Sequence, residues 1–544
     1  MSEPENTSRC QACLRCFLPV HFTREIVNLC SLALPVFLSY LFDYLIIFVS
    51  TVFCGHLGKV ELDGVTLATA AINVMGICIG YGLSAACDTL ISQAFGAGNL
   101  HLVGVITQKA VLILLLACLP CCALLINTES VLLLVGQSPE VARVSQLYVD
   151  IFLPGLPAAF MFIIEAKYLQ NQGKTWPLVI TGVVANVLNA LINYIFLFVL
   201  DMGVTGSAAA NTISQYSLAI ILLIYIRCTG LHKDTWPGWS MDCLQEWDSF
   251  IHLALPSMLM MCAEWWTYEI GGLLAGLIGE VELGAQSVMY SLANIAYMIP
   301  IGFSVAGNVR VGNAMGAGDV AQAKLSAKLS IICAVSVAVV LAIIVGSSKN
   351  VIAYIFTNDK DIRMRVATVM VLFAPFHLLD STAAAGGSIV KGLGKQKIGA
   401  VCNLVGFVLV GFPIGISLMF AAKWGVFGLW TGLLISVFLQ SVFLIALLFK
   451  LNWQKASVEA QIRAGVLTRG TDDGAQEDGG NTEGRDLDMA TDMDGLLDEQ
   501  ADVLLATVRV QLPLSALVLR RGLVVAAMLA LLAAGLAVRF FLKR

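Results

Sequence analysis

Charge is what this sequence has least of. Asp, Glu, Lys and Arg make up 13% of 544 residues, while hydrophobic residues reach 58%. Ordinary soluble domains carry about 25% charged and roughly 45–50% apolar residues. A soluble core could not absorb that surplus without leaving large apolar surfaces in water. Other absences narrow the field. The six histidines, His21, His56, His101, His232, His252 and His377, are scattered without metal-ligand spacing. No nucleotide-binding loop appears. The sequence therefore predicts neither a membrane-embedded enzyme nor an ATP-driven pump, and it implies no metal, cofactor or nucleic-acid partner. Met1–Thr23 is polar and lacks the apolar core of a cleavable signal peptide. The fifteen cysteines are no disulfide framework, because most lie inside apolar runs, where Cys behaves as a small hydrophobe. Cys10, Cys13 and Cys16 stand apart; a triplet without a fourth ligand is a weak zinc signal, and palmitoylation beside a membrane or an inert trio are the other readings.

What is present is a series of apolar blocks long enough to cross about 30 Å of hydrocarbon as helix. Thirteen spans are expected: 26–54, 65–95, 103–126, 147–170, 177–199, 204–226, 249–279, 284–310, 324–346, 365–390, 398–421, 425–450 and 522–541. The organisation that follows is a cytoplasmic tail (1–25), a first lobe of six helices (26–226), an inter-lobe loop (227–248), a second lobe of six (249–450), an acidic disordered linker (451–517) and a last helix with the C-terminus (518–544). The linker, with Asp472, Asp473, Glu477, Asp478 and eight further acids before Val503, has too few apolar groups to fold. With the N-terminus cytoplasmic, 22 of the 32 Lys and Arg fall on that side. The positive-inside rule thus places the N-terminus inside and, after thirteen spans, the C-terminus outside.

The chain repeats itself. Leu32-Ala33-Leu34-Pro35 recurs as Leu253-Ala254-Leu255-Pro256, 221 positions on. At that offset GHLGKVEL (Gly55–Leu62) faces GLIGEVEL (Gly276–Leu283), with five identities in eight. After the loss of one residue, Gly82–Asn99 faces Gly302–Asp319 with seven in eighteen. Six helices per unit is an even number, so the second copy enters the membrane in the same sense as the first. The fold class is an all-α polytopic membrane protein of two parallel six-helix repeats, related by a pseudo-two-fold along the membrane normal, plus a peripheral thirteenth helix. Two such lobes can rock about a central cleft, as alternating access requires.

Ionisable groups inside spans are costly and usually face a bundle interior or an aqueous cavity. Here they are Asp43, Asp88, Asp150, Glu165, Glu264, Glu269, His377 and Asp380. Nearly all are acids, with no Lys or Arg expected deep enough to neutralise them. Such a cavity attracts cations. A carboxyl group taken out of water also holds a proton more readily, so one group can hold a proton or a cationic substrate in turn. The seventh span concentrates this chemistry: Glu264 and Tyr268 are i,i+4 neighbours, as are Trp265 and Glu269. Carboxylate plus aromatic face is a receptor for ammonium or guanidinium groups, at roughly 0.5–2 kcal/mol per cation–π contact. Packing residues are the plainer reading of the aromatics alone. Asp43 falls opposite Glu264 at the 221 offset, and His377 and Asp380, at i,i+3, could form a proton relay.

With these residues in view, the chain resembles the vertebrate branch of the multidrug and toxin extrusion (MATE) family from about Leu29 to Trp453, and in its extra C-terminal span. The stretches that carry the resemblance are Val52–Asp63, Gly82–Gln93, Pro256–Glu269, Gly302–Asp319 and the GLGKQKIGA segment ending at Ala400. The resemblance implies proton-coupled exchange of small organic cations across a plasma membrane by a monomeric unit, with Glu264, Glu269, Asp380 and His377 in binding and coupling. It further implies that Trp265, Tyr268, Tyr290 and Tyr297 line the cavity and that Cys54 and Cys118 are sensitive to thiol reagents. Asp380 stands where the family usually has Glu, and Ser291 where vertebrate relatives commonly carry another Glu; the charge of Asp43 could partly compensate for the latter. A sodium-coupled exporter or a lipid-linked flippase would share the architecture. A flippase for anionic head groups should carry basic residues in its cavity, which the sequence does not suggest. A major-facilitator carrier would need a basic loop where Phe95–Asn99 stands.

Overall fold

In lipid, every backbone N–H and C=O must be satisfied within the protein, and a helix does this unaided. The computed structural model describes residues 20–357, 359–466 and 513–542, and the regular structure among them is helical. The first half comprises α1 (Val20–Gly55), α2 (Lys59–Gly96), α3 (Leu100–Leu125), α4 (Pro139–Phe152), α5 (Gly155–Asn171), α6 (Trp176–Val199) and α7 (Gly203–Cys228). The second comprises α8 (Trp247–Ile278), α9 (Glu280–Gly316), α10 (Val320–Ser347), α11 (Lys360–Gly392), α12 (Gln396–Ala421) and α13 (Val426–Lys450). Two more follow, α14 (Trp453–Arg463) and α15 (Leu514–Leu542).

Eleven of the described helices are long and apolar enough to cross a membrane, and α4 with α5, bent by 59°, is long and apolar enough when the pair is taken as one span. The remaining expected span is α8. At 32 residues it is long enough, but AEWWTYE (Ala263–Glu269) dilutes its apolar character too far for it to count among them.

The duplication is visible in the backbone. The turn after α2 places Gly98 at φ 75°, and its repeat partner Gly318 after α9 lies at 78°. Both sit in the left-handed region that only glycine enters without strain. In both copies the next residue caps the following helix through its side chain: Asn99 accepts from Leu102 N and Asp319 from Gln322 N. Contacts between the lobes are reciprocal as well. Gly96 lies against the backbone of Asn313, and Gly316 against that of Gln93. Gly82 lies against Met258, and its counterpart Gly302 against Ala33 and Phe37. Equivalent residues exchanging equivalent contacts is what a two-fold between the lobes produces.

The lobes are sealed on the face where α2 and α9 end. Thr89 Oγ1 donates to Lys391 O (2.5 Å), Gln93 Nε2 to Gly392 O (2.8 Å) and Asn308 Nδ2 to Asp88 O (3.4 Å). α14 clasps this seam from outside. Arg463 donates to Gln93 Oε1 in the first lobe (3.0 Å) and to Leu393 O in the second (3.1 Å), while Glu459 pairs with Lys395 at 2.6 Å. The expectation of a disordered linker from residue 451 is corrected here. Ala456, Ser457 and Ala460 give α14 a small buried face, and its charges find fixed partners, so this stretch folds despite its polarity. The acid-rich remainder and Cys10, Cys13 and Cys16 lie outside the described residues. α1 begins at Val20, ahead of the expected span, and Glu25 in its first turns is ion-paired to Arg310.

α15 lies on the outer side of α3, as a peripheral helix should, yet it is pinned at both ends. Arg521 donates to Leu244 O (3.0 Å) and covers the Trp247 ring at 4.1 Å. Near the opposite face, Asn127 Nδ2 donates to Gly535 O (3.0 Å) and Arg539 pairs with Asp150 at 2.6 Å.

Candidate functional site: an acid and aromatic cleft

Between the lobes, α8 turns two of its side chains toward the first lobe. Trp266 Nε1 donates to Val74 O (3.2 Å), and the Trp265 ring lies 6.4 Å from that of Tyr81. Behind them the second lobe gathers its acids. Glu264 and Asp380 are close enough for their charges to interact, and Tyr268 and Tyr297 lie within electrostatic reach of both. Tyr268 stacks on Tyr290 (centroids 5.6 Å, 25° between planes) and leans on Phe407 at 6.3 Å. Tyr290 OH donates to Glu269 Oε1 across 3.5 Å. The structure therefore brings Glu264, Asp380, Glu269 and three tyrosines from α8, α9 and α11 together, although the sequence scatters them over more than a hundred positions.

The first lobe contributes a smaller wall. Asp43 lines a cavity of about 10 Å³, room for about one water, together with Tyr40, Tyr81, Lys167 and Gln170. Among the described residues, none of Glu264, Glu269, Asp380 or Asp43 has an ion-pair partner.

The absence of deep cations is corrected. Lys167 on α5 is buried and pairs with Asp88 on α2 at 2.8 Å, with Asn171 Nδ2 also reaching Asp88 at 3.4 Å. Lys109 is buried as well. Lys167 lies near the end of its span, where sequence counting assigns a lysine to the loop, but its long stem carries the ammonium inward. Asp150 is likewise paired, with Arg539, whereas Glu165 is buried with Oε2 lacking a hydrogen-bond partner.

The His377–Asp380 relay is not assembled by a hydrogen bond. His377 stacks on Phe373 (centroids 5.6 Å, 10°), and its buried Nε2 has no partner. Ser291 donates to Ser287 O of its own helix. Cys54 and Cys118 are buried in the core of the first lobe.

Tyr40 and Tyr81 carry no charge to mark them in the sequence. Neither does a neutral network buried in the first lobe. Asn189 Nδ2 donates to Asn211 Oδ1 and Ser214 Oγ (both 3.0 Å), Asn193 Nδ2 to Ser50 Oγ (3.1 Å), Ser50 Oγ to Asn211 Oδ1 (2.9 Å), and Asn211 Nδ2 to Tyr148 OH. It ties α1, α4, α6 and α7 together without a charge. Two amides at i,i+4 in an apolar span, Asn189 and Asn193, were the available signal.

Known proteins match this arrangement. The MatE family profile matches residues 35–195 and again 256–416. The two matches are displaced by the same 221 positions as the LALP repeat. Multidrug and toxin extrusion protein 1 of Danio rerio is 58% identical over 551 residues, covering 98% of this chain and 93% of that protein. The protein of that name from Homo sapiens is 52% identical, covering 83% and 79%. Among solved structures, the eukaryotic MATE transporter AtDTX14 superposes with a TM-score of 0.79 at 27% identity, over 81% of this chain and 99% of that one.

Proposed function

Because the chain belongs to the MatE family of multidrug and toxin extrusion transporters, we propose that it exports organic cations in exchange for protons at the plasma membrane. The observation that carries this reading is the cluster of Glu264, Glu269 and Asp380, without an ion-pair partner among the described residues and walled by Tyr268, Tyr290 and Tyr297. Two acids close enough to repel favour a state in which one is protonated or a cation lies between them. Aromatic faces beside them supply the cation–π contacts that an ammonium or guanidinium group exploits. Substrate binding then expels the proton, and proton return expels the substrate. The count of basic residues supports a cytoplasmic position for the face that α14 clasps, so the arrangement described is closed to the cytoplasm.

Uptake of a fluorescent organic cation into proteoliposomes with an acidic lumen tests this. Wild type accumulates the cation until a protonophore collapses the gradient, and Glu264→Gln fails to accumulate it. Uptake that ignores pH and follows sodium would overturn the coupling ion. The first-lobe acid is tested separately with a dication. Asp43→Asn lowers dication transport, and adding Ser291→Glu restores it; an unchanged rate in Asp43→Asn removes that residue from the cycle.

A further inference from the structure

Two thiols with no part in the proposed cycle face each other where the lobes touch. Cys78 on α2 and Cys262 on α8 are both buried and free, with Sγ atoms 3.7 Å apart. Their setting is regular. Gly82, lacking a Cβ, lets the backbone of α2 settle onto Met258 of the antiparallel α8. One turn along each helix Cys78 meets Cys262, and one turn further Trp266 Nε1 donates to Val74 O. The thiols are thus held by contacts on both sides. Close backbone approach is also what a disulfide requires, with Cα atoms about 4.4–6.8 Å apart. Cys118, Cys121 and Cys122 lie together on α3, so a bond among them would leave the lobes free. A Cys78–Cys262 bond would tie one lobe to the other.

We propose that Cys78 and Cys262 form a reversible redox lock, joined by a peroxide-class oxidant, that holds the two lobes in the arrangement closed on the α14 face and stops exchange. This rests on the reading that the lobes must rock to transport. One thiolate attacks a peroxide oxygen and becomes a sulfenic acid, releasing hydroxide. The second thiol displaces the sulfenic oxygen as water and forms the S–S bond. Two thiols and one hydrogen peroxide yield one disulfide and two waters, and a thiol reductant reverses the bond by exchange. Cys262 is 8% exposed where Cys78 has no exposed surface, so Cys262 is the thiol that the oxidant meets first, and hydrogen peroxide is little larger than water.

The test uses the full chain in proteoliposomes, treated with hydrogen peroxide and then read by peptide mass mapping and by exchange rate. The linked peptide joining Cys78 to Cys262 appears, exchange falls in proportion to the linked fraction, and dithiothreitol restores both. Cys78→Ser keeps its exchange through the same treatment, and Cys262→Ser yields no linked peptide. Equal loss in Cys78→Ser would place the sensitivity at other thiols and overturn the lock. So would a link between Cys262 and Cys121, or full exchange by linked protein. Because the link is read by mass whatever the substrate, its failure is distinct from failure of proton–cation exchange.

Discussion

Replacing Lys167 with Met lowers the stability of the purified protein by about 3–5 kcal/mol, the cost of leaving a buried charge without its partner. Asp88 is that charge. Lys167 Nζ lies 2.8 Å from its Oδ2, and both side chains are nearly shielded from solvent. Asn171 reaches Asp88 only at 3.4 Å and is neutral, so it cannot replace the ammonium. The pair also sits where the lobes meet, since Asn308 donates to the Asp88 carbonyl. A second variant separates charge from packing. Asp88→Asn in the Lys167→Met background removes the orphaned charge and recovers most of the loss. Thermal unfolding in detergent reads both; an unchanged midpoint in Lys167→Met would mean that the pair contributes nothing.

Gly96→Leu acts on the cycle rather than on the fold. A Cβ at Gly96 would collide with the backbone of Asn313, which no rotamer change relieves. Overpacking of this kind costs about 1–3 kcal/mol or more. That cost falls only on the arrangement in which the ends of α2 and α9 meet. An upper-range penalty depletes that arrangement about a hundredfold, and exchange slows to the extent that the cycle passes through it. Gly272→Ala is the control, because nothing lies within 4 Å of a Cβ built there. Proteoliposome exchange rates and unfolding midpoints together check this. A Gly96→Leu protein of normal midpoint and normal rate would show that the two turns need not meet.

Much of this was legible in the sequence because it is written in short-range pattern. Apolar runs gave the helices, and the offset between the two LALP segments anticipated both the two family matches and the reciprocal contacts of Gly96 and Gly316. The acids and aromatics of α8 stand next to one another in the chain, so their convergence needed only helical spacing. What stayed hidden depends on partners brought from afar. Lys167 and Asp88 are 79 positions apart, and nothing local marks either as the other's counter-charge. α14 looks like the start of a polar linker because its stability comes from Gln93, Leu393 and Lys395 rather than from its own sequence. The network around Asn189 escaped because amides and hydroxyls carry no charge to mark them.

The polarity of α8 bears on how the chain is made. A strongly polar group such as Asp at the centre of an inserting helix costs about 2.5–3.5 kcal/mol, and α8 brings two acids, Glu264 and Glu269, into the middle of its apolar run. Left alone at the translocation machinery, it would enter the bilayer less readily than the helices without such acids. By then the first lobe has been synthesised, and α2 already offers a matching surface at Val74, Cys78 and Gly82. The earlier half of the chain can thus serve as the solvent into which the later half's functional helix partitions, which fixes an order of biogenesis that two otherwise equivalent lobes would not require.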